Sequence, residues 1–370
     1  MARLDQICKL NMGQSPDSTS YNENGIGMPF FQGNADFGIL HPTVRVWCSD
    51  PTKVANPGDV LISVRAPIGA LNVADVKCCI GRGLAALTVD ESKCTKEYLW
   101  HAIRSKVSEL NSKGTGSTFK AISKNTLAET EIPLPALDKQ RYIAASMDKC
   151  DQLISLRREQ LAKLDELVKA RFVELFGDQE SNPFGWEQCS IGECCTLKSG
   201  TSLPAEVENE GGSIPYVKVG DMNYPGNERY ITTSSRYVSE ETAGKGMFEV
   251  GSIIFPKRGG AIGTNKKRMT KLPICADLNV MGVSSNGQLL PEYLLAYFDM
   301  IDLGALSDGS SVPQINNKNI APLVICVPPM DLQKQFAAFV EQTDKSKLAI
   351  QRSLDKLETL KKALMQKYFG

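Results

Sequence analysis

Histidine is nearly absent from this sequence: His41 and His101 are the only two in 370 residues. Acid–base and nucleophilic catalysis near neutral pH leans heavily on histidine, and neither copy stands in a suggestive setting. The motifs of other chemistries are missing too. There is no Gly-x-x-x-x-Gly-Lys-[Ser/Thr] phosphate loop, no Gly-x-Ser-x-Gly nucleophile turn and no His-Glu-x-x-His zinc helix. Gly81-Arg-Gly83 lacks the third glycine of a dinucleotide turn. No catalytic residue is predicted.

Long apolar runs are also lacking. None approaches the roughly 18 residues of a membrane span, and the N-terminus has no signal-peptide pattern. The expectation is a soluble, cytoplasmic protein with no membrane partner. Excess charge is absent: 42 basic residues balance 42 acidic ones. That argues against a free-standing, non-specific nucleic-acid binder, which would normally be strongly basic. It leaves room for basic groups gathered on one face, or for phosphate contacts shared with partner subunits. Eleven cysteines are present, but no Cys-x-x-Cys pair. Cys78-Cys79 and Cys194-Cys195 are adjacent, which suits neither a disulfide within the pair nor a zinc knuckle. They read as small buried apolar groups in a reducing compartment. The alternative, a zinc site on Cys189, Cys194 and Cys195, lacks a convincing fourth ligand, and no metal is predicted.

What the sequence does have is a repeat. Residues 116–177 lie over 309–370 at a constant offset of 193, with 19 of 62 positions identical, where chance gives about four. Both copies end on Phe-Gly, at Phe176-Gly177 and Phe369-Gly370. The preceding segments are related more loosely. Leu10, Gly13 and Ser15 recur as Leu197, Gly200 and Ser202, and Gly58-Asp-Val-Leu-Ile-Ser-Val-Arg65 recurs as Gly251-Ser-Ile-Ile-Phe-Pro-Lys-Arg258. The plan is module–helix–module–helix, with diverged modules and similar helices. Two like frames with two different faces suit a protein that reads two different things.

Residues 138–176 contain no Gly or Pro before the closing Gly177 and are rich in helix formers. A 3–4 spacing picks out Ile143, Met147, Cys150, Ile154, Arg157, Leu161, Leu164, Val168, Arg171 and Leu175. In the second copy it picks out Phe336, Val340, Thr343, Lys347, Ile350, Leu354, Leu357, Lys361, Leu364 and Tyr368. This is the pattern of a coiled-coil seam. The prediction is two long helices, 138–176 and 331–369, with Asp138 and Asp331 as N-caps, paired antiparallel. The alternative is that each helix packs on its own module. Domain bounds are set at 1–135, 136–178 (helix), 179–328 and 329–370 (helix). The fold class is α+β, with two mixed, mainly β modules and an internal pseudo-twofold repeat.

In each module a strand-like segment delivers an arginine into a small-residue turn: Arg65-Ala-Pro-Ile-Gly69 and Arg258-Gly-Gly-Ala-Ile-Gly263. Such a turn brings side chain and backbone N–H close to a phosphate or a base edge. Arg65 and Arg258 head the candidate DNA-binding set, with Gln32, Lys113, Lys120, Lys124, Lys218, Lys257, Lys266, Lys267 and Lys318. Asn182-Pro183-Phe184 lacks the second proline of the Asn-Pro-Pro-aromatic motif of amino-methyltransferases. It reads as the turn that opens the second module.

Taken together, the chain resembles the specificity subunit of type I restriction–modification enzymes. The resemblance covers the whole sequence and rests on the doubled plan and one repeated passage. That passage is Gly116-Ser-…-Ile132-Pro-Leu-Pro-Ala-Leu-Asp-Lys-Gln140, repeated as Gly309-Ser-…-Ile325-Cys-Val-Pro-Pro-Met-Asp-Leu-Gln333. Leu164-Asp165-Glu166-Leu167 and Asn182-Pro-Phe-Gly-Trp186 add to it. Ala136 and Cys326 depart from the family's prolines. The resemblance implies a non-catalytic scaffold whose two target recognition domains each read half of a bipartite site in double-stranded DNA, the helices setting the spacer. It implies two modification subunits that bind S-adenosylmethionine and methylate adenine. Restriction subunits with an ATP- and Mg-dependent motor would join them, and this chain itself would bind no cofactor. A related methyltransferase or nuclease system without the motor subunit is the alternative.

Overall fold

In the computed structural model, residues 1–116, 120–208 and 211–370 are described. They form two compact units, Met1–Arg158 with Arg352–Gly370, and Glu159–Gln351. Four helices carry most of the architecture: α1 (Lys96–Ser112), α2 (Leu137–Phe176), α3 (Pro291–Met300) and α4 (Met330–Phe369).

The first unit starts with strand Ala2–Arg3 paired to Glu131–Ile132. An antiparallel sheet follows in the order Cys8–Met12, Leu84–Val89, Val60–Ser63, Leu71–Val73. A second sheet has the order Tyr21–Asn22, Val46–Cys48, Met28–Phe31, Cys78–Ile80, Val54–Ala55, and its pair Met28–Phe31 and Cys78–Ile80 is parallel. The second unit repeats this plan. Glu187–Ser190 pairs with Val324–Val327. One sheet runs Cys195–Ser199, Val280–Ser285, Ile253–Pro256, Arg268–Thr270, Tyr230–Ile231. The other runs Tyr237–Val238, Ile214–Val217, Ile274–Ala276, Met247–Phe248, again with one parallel pair, Ile214–Val217 beside Ile274–Ala276. The fold is α+β with a repeated, mainly β module, as the sequence predicts.

The repeated residues have local causes. A Cβ on Gly13 would sit 2.1 Å from the Gly81 carbonyl oxygen, and one on Gly200 would sit 2.2 Å from that of Ala276. Only glycine lets these strand ends approach. Gln140 is buried; its Oε1 accepts from Thr95 N (3.0 Å) and its Nε2 donates to the carbonyls of Lys93 (2.9 Å) and Pro135 (2.8 Å). Gln333 does the same with Leu290 N (2.8 Å), Gln288 O (3.0 Å) and Pro328 O (2.9 Å). Thr95 and Leu290 are the N-caps of α1 and α3. Each glutamine thus ties the start of a module helix to the start of α2 or α4, with every donor and acceptor of its amide engaged.

Each long helix serves both units. Residues 137–158 of α2 pack with 352–369 of α4 in the first unit, and 159–176 with 330–351 in the second. The charged contacts run antiparallel. Lys361 binds Asp151 and Arg158 meets Glu358 (2.7 Å) in the first unit, while Lys347 meets Asp165 (2.6 Å) in the second. All twenty seam positions are buried or half-buried. The helices also pack on the modules, so the two expectations for them are both realised. Ile143 and Met147 join the first unit's core, and Phe172, Phe176, Phe336 and Val340 the second's.

The terminal Phe-Gly pairs explain themselves here. Phe369 is buried against Tyr98 of the first unit (ring centroids 5.3 Å), and Phe176 against Tyr293 of the second (4.7 Å). The tyrosines are themselves buried and donate to Pro133 O and Cys326 O, both at 2.8 Å. The end of α2 is closed by the Asn182 turn. Asn182 (φ 42°) exchanges two hydrogen bonds with the Trp186 backbone, and Trp186 Nε1 donates to Phe176 O (3.1 Å).

Candidate nucleic-acid interface

In the first unit, three chain segments leave neighbouring strand ends and are stitched together by their backbones. Gly81 N donates to Phe31 O (2.8 Å), and Gly83 O accepts from Val64 N (2.9 Å). A Cβ on Gly83 would fall 2.4 Å from the Gln32 carbonyl oxygen, so Gly83 is wedged between the Gln32 and Val64 backbones. Val64 O accepts from Ile122 N (2.9 Å), Ala66 N donates to Lys120 O (3.0 Å), and Arg65 bridges Ala121. Gln32, Arg65 and Lys120 therefore share one edge, together with Arg82. All four side chains are exposed, and none of the three basic ones makes an ion pair with a described residue. Lys113 closes α1 and is held by Glu109 (2.6 Å). Lys124 opens the short helix Lys124–Ala128 and is exposed. Residues 117–119, between Lys113 and Lys120 in the sequence, lie outside the described residues.

The second unit builds the same edge. Asp277 N donates to Val217 O (2.9 Å), Asn279 O accepts from Lys257 N (2.9 Å), and Lys257 O accepts from Ile315 N (2.9 Å). Arg258 bridges Gln314 and its side chain is exposed. Lys218 follows the parallel strand as Gln32 does. Its N–H donates to Asp221 Oδ2 (2.7 Å), as that of Gln32 donates to Asp36 Oδ2 (2.7 Å). The strand register makes Gln32 and Lys218 one position of a common frame, since Phe31 pairs with Ile80 as Val217 pairs with Ala276, while the aspartate lies four residues on from Gln32 and three from Lys218. Lys218 is paired with Glu208 (2.6 Å), which also meets Arg236 (3.3 Å). Lys257 donates to Ser199 Oγ (2.9 Å), and Lys318 is exposed on the helix Asn317–Ile320.

The 266–268 run is different. Lys266 is bound to Asn223 Oδ1. Lys267 is only 5% exposed and donates to Asn265 Oδ1 (2.8 Å) and Ile301 O (2.6 Å). Burial pushes its ammonium pKa below the usual lysine value. Arg268 donates to the carbonyls of Asn227 and Lys267. Lys267 ties its own loop to Ile301 and is a correction to the candidate set: an ammonium this buried, turned inward onto two carbonyl oxygens, is not placed to reach DNA.

Arg82 was absent from the candidate set. The repeat did not flag it, because Leu278 stands at the matching place, between Asp277 and Asn279. Among the described residues no group of three His, Cys, Asp or Glu is placed to hold a metal ion. The Cys194 and Cys195 sulfurs lie 4.0 Å apart in the second unit's core. Burial drives both thiols up to about 11. What the edges offer is guanidinium, amide and ammonium donors beside backbone turns, which is the chemistry of phosphate and base-edge contact.

The family model for the type I restriction modification DNA specificity domain matches residues 1–166 and 183–361. The chain belongs to the type I restriction–modification specificity subunits. Within this family it is similar to the MjaIX specificity subunit of Methanocaldococcus jannaschii, with 24% identity over 340 residues, covering 85% of this chain and 77% of the relative. The MjaX specificity subunit of the same organism is 40% identical over 165 residues, 45% of this chain. That match spans only 39% of the relative's length. The fold is similar to the crystal structure of the type I system S subunit from M. genitalium, with TM-score 0.62 and 17% identity over 100% of this chain and 95% of that one. A second structure, from work on complex assembly and conformational transition of the type I system, gives TM-score 0.61 at 19% identity, covering 99% of this specificity subunit and 96% of that chain. Among the described residues of the subunit no helix is long and apolar enough to cross a membrane.

Proposed function

We propose that this specificity subunit is the sequence-reading part of a type I restriction–modification complex. Each unit reads one half of a bipartite, asymmetric site in double-stranded DNA. The observation that carries this reading is the doubled edge: one backbone frame, built twice, presents an exposed arginine each time beside chemically different neighbours. The chain holds no catalytic centre of its own. Two modification subunits supply S-adenosylmethionine-dependent methylation, and restriction subunits supply the ATP- and Mg-dependent step.

Docking of those partners is assigned to α2 and α4. Support comes from their outward faces, where Tyr142, Leu156, Leu167, Val173, Leu348 and Leu360 are exposed although large and apolar. Such residues on a helix pair suit a protein partner. The balanced net charge fits as well, since partner subunits would share the phosphate contacts. The test is a binding titration of the chain with its modification subunits against duplex DNA. Sequence-dependent binding that weakens steeply with salt is expected. Binding that ignores both sequence and salt would overturn the proposal.

A further inference from the structure

We infer that Arg65 and Arg258 each hold a phosphate of their half-site, whereas Gln32 and Lys218, one position of the shared frame, are where the two units read different bases. This rests on the DNA-reading function proposed above and divides the edge between positioning and reading.

The argument starts from what two different half-sites have in common. Their base sequences differ, but their sugar–phosphate backbones do not. A side chain repeated on a repeated backbone frame suits the common part. A side chain that differs on the same frame suits the part that differs.

The frame is the same in detail. The residue before each arginine, Val64 or Lys257, donates to the carbonyl of Gly83 or Asn279 and accepts from Ile122 or Ile315, all at 2.9 Å. Each arginine is itself bridged, to Ala121 or Gln314. Both guanidiniums are exposed and make no ion pair with a described residue. A planar guanidinium fork matches phosphate bidentately.

Gln32 and Lys218 are fixed as closely, by the parallel strand before each and by Asp36 or Asp221 on each N–H. Their side chains differ in kind. Gln32 carries a neutral amide, which can bond adenine N6 and N7 together. Lys218 carries an ammonium locked to Glu208 (2.6 Å), a donor and an acceptor side by side. That pair suits a guanine edge or a cytosine amino group. Arg82 and Leu278 differ likewise at the next turn.

The experiment uses the full chain in complex with its modification subunits and a random-sequence duplex library. The selected motif is read by sequencing, and Kd is measured on the selected and on a scrambled duplex at several salt concentrations. Arg65→Ala and Arg258→Ala should select the wild-type motif. Each should weaken binding to both duplexes by the same factor and reduce the salt slope by about 1. Arg65→Lys should recover most of that slope. Gln32→Ala should leave the slope unchanged and alter the preference at one base pair by roughly tenfold or more, in one half of the motif only. Lys218→Ala should act on the other half. An arginine variant that relaxes a base preference, or a Gln32→Ala variant that keeps the full motif, overturns the division. A wild-type complex that selects no motif overturns instead the DNA-reading function beneath it. Unchanged thermal unfolding of each variant separates contact loss from misfolding.

Discussion

His101 is the buried histidine of the first unit, 1% exposed, with Nε2 2.8 Å from Asp148 Oδ1. Burial is the strongest influence on it and lowers its pKa below 6.5, while the Asp148 hydrogen bond and charge pull the other way. The folded chain therefore binds this proton less readily than the unfolded chain does. Stability from the neutral ring is fully present above pH 6.5 and is lost as pH falls from there through the folded value. Urea unfolding between about pH 5 and pH 7 should show wild-type stability falling below 6.5. His101→Gln, which cannot titrate, should flatten that part of the curve; an unchanged curve would place the dependence elsewhere. The repeat picked out single residues whose type geometry forces, Gly13 with Gly200 and Gln140 with Gln333, but their roles as close approaches and amide ties came only with the structure. The burial of Lys267 was not legible, because a lysine in a basic run reads the same whether its ammonium points to solvent or to a carbonyl. The kinship of Gln32 and Lys218 was hidden too, since they share a backbone setting and no side-chain chemistry.

At the scale of elements, both helices and their seams were legible, because a 3–4 apolar spacing over five heptads has few other uses. Their bounds fall within a residue of those predicted, at Leu137–Phe176 and Met330–Phe369, but Asp138 and Asp331 lie inside the first turn and are not the N-caps, and the repeat marked Phe-Gly without saying what it packs on. The structure makes a definite expectation. Phe369→Ala should destabilise the first unit and Phe176→Ala the second, each by about 3–5 kcal/mol. Hydrogen exchange resolved by segment would check this, with faster exchange in α1 for the first variant and in α3 for the second. Uniform acceleration in both helices by either variant would contradict it. The division of each helix between units also constrains any insertion. Four residues added to α2 alone would throw its pairing with α4 out of register. Four added after Arg158 and four after Gln351 leave each half-seam intact and lengthen each helix by about 6 Å. If the helices set the spacer, as the resemblance implies, the modified DNA target should keep its half-sites and gain about one to two base pairs between them. An unchanged spacer would return the helices to a packing and docking role.

At the scale of the whole molecule, the doubled plan was the most legible feature, and the tertiary structure turns it into two units of one design. What sequence could not supply was the strand order. The parallel pairs 28–31 with 78–80 and 214–217 with 274–276 join segments about 50 to 60 residues apart that share no motif. Those pairs are what bring Gln32 beside Arg65 and Lys218 beside Arg258. The central claim is that each unit reads its own half of the target. Its most direct test is methylome sequencing of a host that expresses the modification subunits with a chain in which residues 183–328 are replaced by the corresponding domain of another specificity subunit. One half of the methylated motif should change and the other half should stay as it was. A motif altered in both halves would contradict the account.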